Sequence, residues 1–194
     1  MRLFVGINLP DFIKDRLLFL HGGIEGARWQ RRDQLHLTLR FIGEVNGREA
    51  DEIHSALDSI RFQSFEMALS GVGFFGKEDK PRHLWAGVER PEPLIHLHEK
   101  IDRALVMAGF PAEQRKYKPH VTLARLKGWA GRLAPFLAVH NDFRSQTFPV
   151  DRFCLFSSHR HRGGADYRIE EIYPALDAMA AEDLIDLTGI AAAE

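Results

Sequence analysis

The sequence predicts an α+β fold made of two similar lobes, each an antiparallel sheet backed by helices. Three observations lead there. Two short strands, Leu35 to Phe41 and His120 to Arg125, carry the same His-x-Thr pattern. Strand-like runs and helix-like runs follow each of them in the same order. The distances between corresponding landmarks also agree. From His36 to Phe65 is 29 residues and from His120 to Phe148 is 28; from His36 to Trp85 is 49 and from His120 to Tyr167 is 47. Backwards, Leu3 lies 33 residues before His36 and Leu84 lies 36 before His120.

Residues 2–8 are rich in β-formers and run into Pro10, which suits an opening strand followed by a helix over 11–22. Leu35-His36-Leu37-Thr38-Leu39-Arg40-Phe41 alternates apolar and polar side chains, the mark of a half-buried strand, and Gly43 and Gly47 close it. Ile53, Leu57 and Ile60 fall at helical spacing within 48–61. Strands are expected at 64–70 and 82–89. Pro91 and Pro93 then open a helix over 94–108, which Gly109 and Pro111 end. After the second His-x-Thr strand come a helix at 129–139 and strands at 146–157 and 165–173. The pattern reads as a single domain over 1–174, with residues 175–194, rich in Ala, Asp and Glu, as a peripheral helical tail.

Composition narrows the function classes. Of 194 residues, 45% are apolar and 27% charged, ordinary for a globular domain, and no run of about 18 apolar residues could span a membrane. The apolar start is too short and too soon followed by Asp11 and Lys14 for a signal peptide, and a lone Cys154 fits a reducing cytoplasm. The expectation is a cytoplasmic monomer. A net charge of −1 argues against a protein that coats long nucleic acid, yet permits an enzyme gripping one or two phosphates through clustered arginines. Zinc-ligand spacing and a complete Walker loop are missing from the sequence, so neither metal nor cofactor is expected.

A strand has period two, so His36 and Thr38 share one face, as do His120 and Thr122. Two facing imidazoles suit in-line displacement at phosphorus, where the attacking oxygen loses a proton on one side and the leaving oxygen gains one on the other. The threonine hydroxyls can donate to non-bridging oxygens as charge builds there. A single His-x-Thr arises easily by chance; two in matching surroundings carry the signal. Arg40, four residues after His36, falls on the same face by alternation and is a candidate for binding substrate phosphate.

The two strands, with Arg2-Leu3-Phe4-Val5, Trp29, Phe41-Ile42-Gly43 and Phe156-Ser157-Ser158, resemble the 2H phosphoesterase superfamily over roughly residues 1–174. More narrowly they resemble its bacterial and archaeal RNA 2′,3′-cyclic phosphodiesterases, historically called 2′-5′ RNA ligases. The resemblance implies an active-site cleft between the lobes, His36 as proton donor and His120 as proton acceptor. It also implies that Phe41 stacks on the terminal base and Arg125 contacts the phosphate, although strict alternation turns both away from the histidines unless the strands twist or end there. The implied reaction opens RNA 2′,3′-cyclic ends to 2′-phosphomonoesters, with RNA 3′ ends or small cyclic nucleotides as partners. The alternatives are ATP-independent 2′-5′ ligation, or its reversal, on the same histidines, and a non-catalytic RNA- or nucleotide-binding module.

Three further features have plainer readings. His96 and His98, two apart on a helix, cannot share a metal and read as surface residues. His159-Arg160-His161-Arg162 reads as a solvated basic loop. Gln30-Arg31-Arg32 and Arg115-Lys116-Tyr117-Lys118 stand just ahead of the motifs, where they could rim a cleft.

Overall fold

A computed structural model describes residues 1–126, 133–161 and 164–178. In chain order the strands are β1 (Arg2–Asn8), β2 (Ala27–Trp29), β3 (His36–Glu44), β4 (Phe65–Lys77), β5 (Lys80–Glu89), β6 (His120–Leu126), β7 (Phe148–Val150), β8 (Arg152–His161) and β9 (Gly164–Pro174). The helices are α1 (Asp11–Leu18), α2 (Gly47–Asp58), α3 (Glu92–Met107) and α4 (Leu133–His140), and a single 3₁₀ turn, Arg32–Gln34, leads into β3. Local chemistry accounts for the helix starts. Asn46 and Glu49 form a reciprocal capping box at the head of α2, and prolines open α3. No helix among the described residues is long and apolar enough to cross a membrane.

The strands run in the order β7-β4-β5-β6-β3-β1-β8-β9, all antiparallel, with β2 added beside β6. Read from either end, the path has the same plan. β3 and β6 meet in the middle; β1 and β5 flank them; β8 and β4 come next. This differs from lobes built of contiguous sequence. The last strand of each repeat crosses over to pair with the first strand of the other, so each half of the sheet takes strands from both repeats. The main core lies along the sheet and includes Leu37, Ile53, Leu69, Ile101, Val121, Leu123 and Phe153, none of them more than 1% exposed.

Element bounds depart from expectation where local bonds change. α1 stops at Leu18 because the chain tightens into turns, Leu20 N donating to Leu17 O and His21 N to Leu18 O. β4 and β5 extend toward each other into a tight hairpin, with only Glu78 and Asp79 between them. The strand expected over 146–157 is two, β7 paired with β4 and β8 paired with β1. The short β2 carries no alternation long enough to announce it. The first residues of the helix expected at 129–139, and the tail from residue 179 onward, lie outside the described residues.

Candidate active site

The site grows out of one strand pairing. β3 and β6 touch through Leu37 opposite Val121, both fully buried. Carried one residue to either side, this antiparallel register sets His36 across from Thr122 and His120 across from Thr38. The buried neighbours fix the strands, and the two His-x-Thr pairs stand on the opposite face.

Past the threonines both strands break alternation in the same way. Along β3, Gly6 faces Thr38 but Val5 faces Arg40, leaving Leu39 as an extra residue. Along β6, Trp85 faces Thr122 but Leu84 faces Ala124, leaving Leu123 extra. A β-bulge shifts the period by one and turns later side chains to the other face. The first six positions of each strand accordingly run half-buried, buried, half-buried, buried, buried, exposed. Phe41 and Arg125 therefore come round to the histidine side. Arg40 goes the other way. It is only 7% exposed, and its Nε donates to Asp102 of α3 at 2.6 Å. The expectation that Arg40 shares the His36 face is corrected by the bulge, which puts its guanidinium behind the sheet.

Each histidine is oriented by backbone. His36 Nδ1 donates to the Gln34 carbonyl at 2.8 Å, and His120 Nδ1 to the Lys118 carbonyl at 2.7 Å. A carbonyl only accepts, so Nδ1 carries the proton and Nε2 of each ring is left for chemistry. Around His36 stand Phe4 and Tyr167, each with its ring centroid 4.8 Å away, and Phe156 at 5.9 Å. His120 meets the edge of Phe75 at 4.8 Å and Trp85 at 6.5 Å, with Lys118 Nζ 4.2 Å above the Trp85 ring. Desolvation pulls the His36 pKa down to about 4, helped by the charges of His120, Lys14 and Arg125 and opposed by the Gln34 bond. Desolvation also lowers the His120 pKa, with smaller contributions from the charges of His83 and Lys118 and the Lys118 carbonyl bond opposing. Both shifts favour uncharged rings at neutral pH.

A family model described as the 2′-5′ RNA ligase superfamily matches residues 24–162. The chain belongs to this superfamily. A protein of Thermotoga maritima named RNA 2′,3′-cyclic phosphodiesterase is 31% identical over 176 residues, 87% of this chain and 92% of that protein. One of the same name from Aeropyrum pernix is 44% identical over 97 residues, which span 50% of this chain and only 55% of that protein. Among solved structures, E. coli LigT complexed with 3′-AMP superposes with a TM-score of 0.76 at 26% identity, covering 90% of this chain and 97% of that one.

Beside the paired motifs of this superfamily member open two hollows that share Phe41 and His83. One, about 640 Å³, is lined by Arg2, Arg28, Arg31, Arg125 and Arg160 with Phe4, Trp29 and Tyr167. The other, about 790 Å³, is lined by Phe75, Lys77, Lys80, Arg82, Lys116 and Lys118. A third hollow, between α2 and α3, holds neither motif. Of the basic runs ahead of the motifs, Arg31 and Arg115 to Lys118 reach the hollows, whereas Arg32 pairs with Asp11 and Asp15 of α1. Residues 159–161 are strand rather than loop, and Arg160 and His161 line the first hollow; Arg162 lies outside the described residues. His98 is not a surface residue. It is 8% exposed, its Nδ1 donates to the Leu39 carbonyl at 2.8 Å, and its ring stacks on Tyr117 at 3.9 Å. Sequence reading also passed over Gln34, Lys14 and Tyr167. Gln34 orients His36 through its carbonyl, which any residue possesses, so no side-chain pattern could reveal it. Among the described residues no group of three His, Cys, Asp or Glu side chains is placed to hold a metal ion.

Proposed function

We propose that the chain hydrolyses RNA 2′,3′-cyclic phosphate ends to 2′-phosphomonoesters by two-histidine acid–base catalysis. Water attacks phosphorus opposite the 3′-oxygen; His120 Nε2 takes its proton, and His36 Nε2 returns one to the departing 3′-oxygen. Bonds and charge balance: one P–O bond forms, one breaks, and the product carries a 2′-phosphate and a 3′-hydroxyl. Thr38 and Thr122 donate to the non-bridging oxygens, Arg125 offsets the phosphate charge, and Phe41 stacks on the terminal base.

The observation that carries this reading is the equivalence of the two motifs, each with Nδ1 tied to the carbonyl two residues earlier and Nε2 left free. The names of the Thermotoga and Aeropyrum relatives support the choice of substrate. The assignment of His36 as donor and His120 as acceptor follows the family resemblance; a bound phosphate monoanion favours the protonated ring that burial disfavours.

An RNA oligomer with a 2′,3′-cyclic end, incubated with EDTA, should give the 2′-phosphate by phosphorus NMR. A mainly 3′-phosphate product would reverse the substrate orientation, and loss of turnover restored by a divalent ion would overturn metal-independent catalysis. Joined 2′-5′ oligomers as the main product would make ligation the better reading.

A further inference from the structure

The bulge that brings Phe41 into the cleft leaves backbone carbonyls outside the strand ladder, and side chains of α3, of the segment ahead of β6 and of β3 itself take them up. Tyr117 Oη donates to the Thr38 carbonyl at 3.1 Å, and His98 Nδ1 to that of Leu39 at 2.8 Å. Arg40 donates to the carbonyls of Phe41 and Pro111 and holds Asp102 of α3. Tyr117 and His98 brace each other, their rings stacked within 12° of parallel. All three of these side chains are wholly or partly buried, where a polar group is retained only with partners. The matching bulge of β6 is held differently. There Ala124 occupies the place of Arg40, and the Leu123 carbonyl accepts from the Gln30 backbone at 2.8 Å. One bulge rests on backbone pairing; the other rests on a side-chain clamp.

We propose that His98, Tyr117 and Arg40 are positioning residues for nucleobase recognition, fixing the β3 bulge so that Phe41 stands ready to stack on the terminal base. This rests on the role given to Phe41 under the proposed function. A slackened clamp lets β3 recover simple alternation, which swings Phe41 away from the histidine face. Base selection should suffer before the chemistry does, since His36 precedes the bulge and is held by Gln34.

The test uses the full chain and titrates 2′-AMP and inorganic phosphate by calorimetry, beside kcat and KM for 2′,3′-cyclic AMP. Tyr117→Phe and His98→Leu should each weaken 2′-AMP binding about fivefold, a part of the roughly 5–150-fold that a full base–aromatic stack supplies. Phosphate binding should stay within about twofold, KM should rise and kcat should hold. His98→Asn, which keeps a donor near the Nδ1 position, should restore binding. In a Phe41→Ala background the clamp variants should add nothing. Equal weakening of 2′-AMP and phosphate, or a full effect persisting without Phe41, would overturn the clamp; Tyr117→Phe, which removes only a hydroxyl, keeps the test open if His98→Leu fails to fold. Tight 2′-AMP binding without turnover would sink the proposed activity and leave the clamp standing, whereas a wild-type protein that does not bind 2′-AMP removes both.

Discussion

Around His36 the strand registers present Phe4, Phe41 and Phe156; at the matching positions around His120 stand His83, Arg125 and Phe75. The frames correspond pair by pair, down to the bulge three residues after each histidine. Their contents do not. Gly6 occupies on β1 the place that Trp85 holds on β5. A Cβ at Gly6 would lie 2.7 Å from the Leu37 carbonyl oxygen, so this strand comes too close for any side chain. On the other side Trp85 lies over Gly73, where an added Cβ would meet the indole at 2.4 Å. The His36 lobe is thus walled mainly by phenyl rings, and the His120 lobe by imidazole, guanidinium and a lysine-capped indole. The two motifs hold their imidazoles in equivalent geometry, and a handful of unlike neighbours makes His36 the more desolvated.

The largest effects test the equivalence of the frames. His36→Ala and His120→Ala should each lower kcat by at least about 10²-fold, the ordinary contribution of a general acid or base. The double variant should lose less than the product, because both groups serve one displacement. Single-turnover kinetics on a cyclic-ended oligomer would check this. A loss of only a few fold at either position would break the comparison and leave that histidine a structural one.

Smaller losses are expected from the hydroxyls. Thr38→Val and Thr122→Val each remove one hydrogen bond to a charged oxygen, worth about 1.5 kcal/mol or roughly tenfold in kcat/KM. Similar losses in the two variants would extend the symmetry to the non-bridging oxygens; a tenfold disparity would show that phosphate sits off the twofold axis.

The smallest effect sharpens the asymmetry. Because burial lowers both imidazole pKa values, His36 to about 4, the singly protonated pair is scarce at neutral pH and grows as pH falls. The pH profile of kcat/KM, which reports the free enzyme, should therefore have both limbs below 6.5. Bound substrate adds a negative charge, so the kcat profile should lie at higher pH. Lys14→Met removes one cation from beside His36 and should move a limb upward by a fraction of a pH unit. An optimum of kcat/KM above pH 7.5 would contradict the desolvated site.

Reading from sequence reached the α+β class, most element positions and the two His-x-Thr strands, because alternation and helical spacing are local properties written in adjacent residues. It could name Phe41 and Arg125 only by resemblance and put Arg40 on the wrong face. A bulge is a relation between partners, and nothing within Leu37-Thr38-Leu39-Arg40-Phe41 shows that Leu39 will lack one. His98 looked exposed for a similar reason, since its partner, the Leu39 carbonyl, is 59 residues away. The sequence by itself determined which residues could carry protons and that they come as a pair. Only the tertiary structure decided that strands exchange between repeats, which side chains the bulges turn toward the cleft, and how dry each imidazole becomes. Those depend on long-range strand pairing and on the packing of α3 and β8 against the motif strands, contacts that no local window of the chain contains.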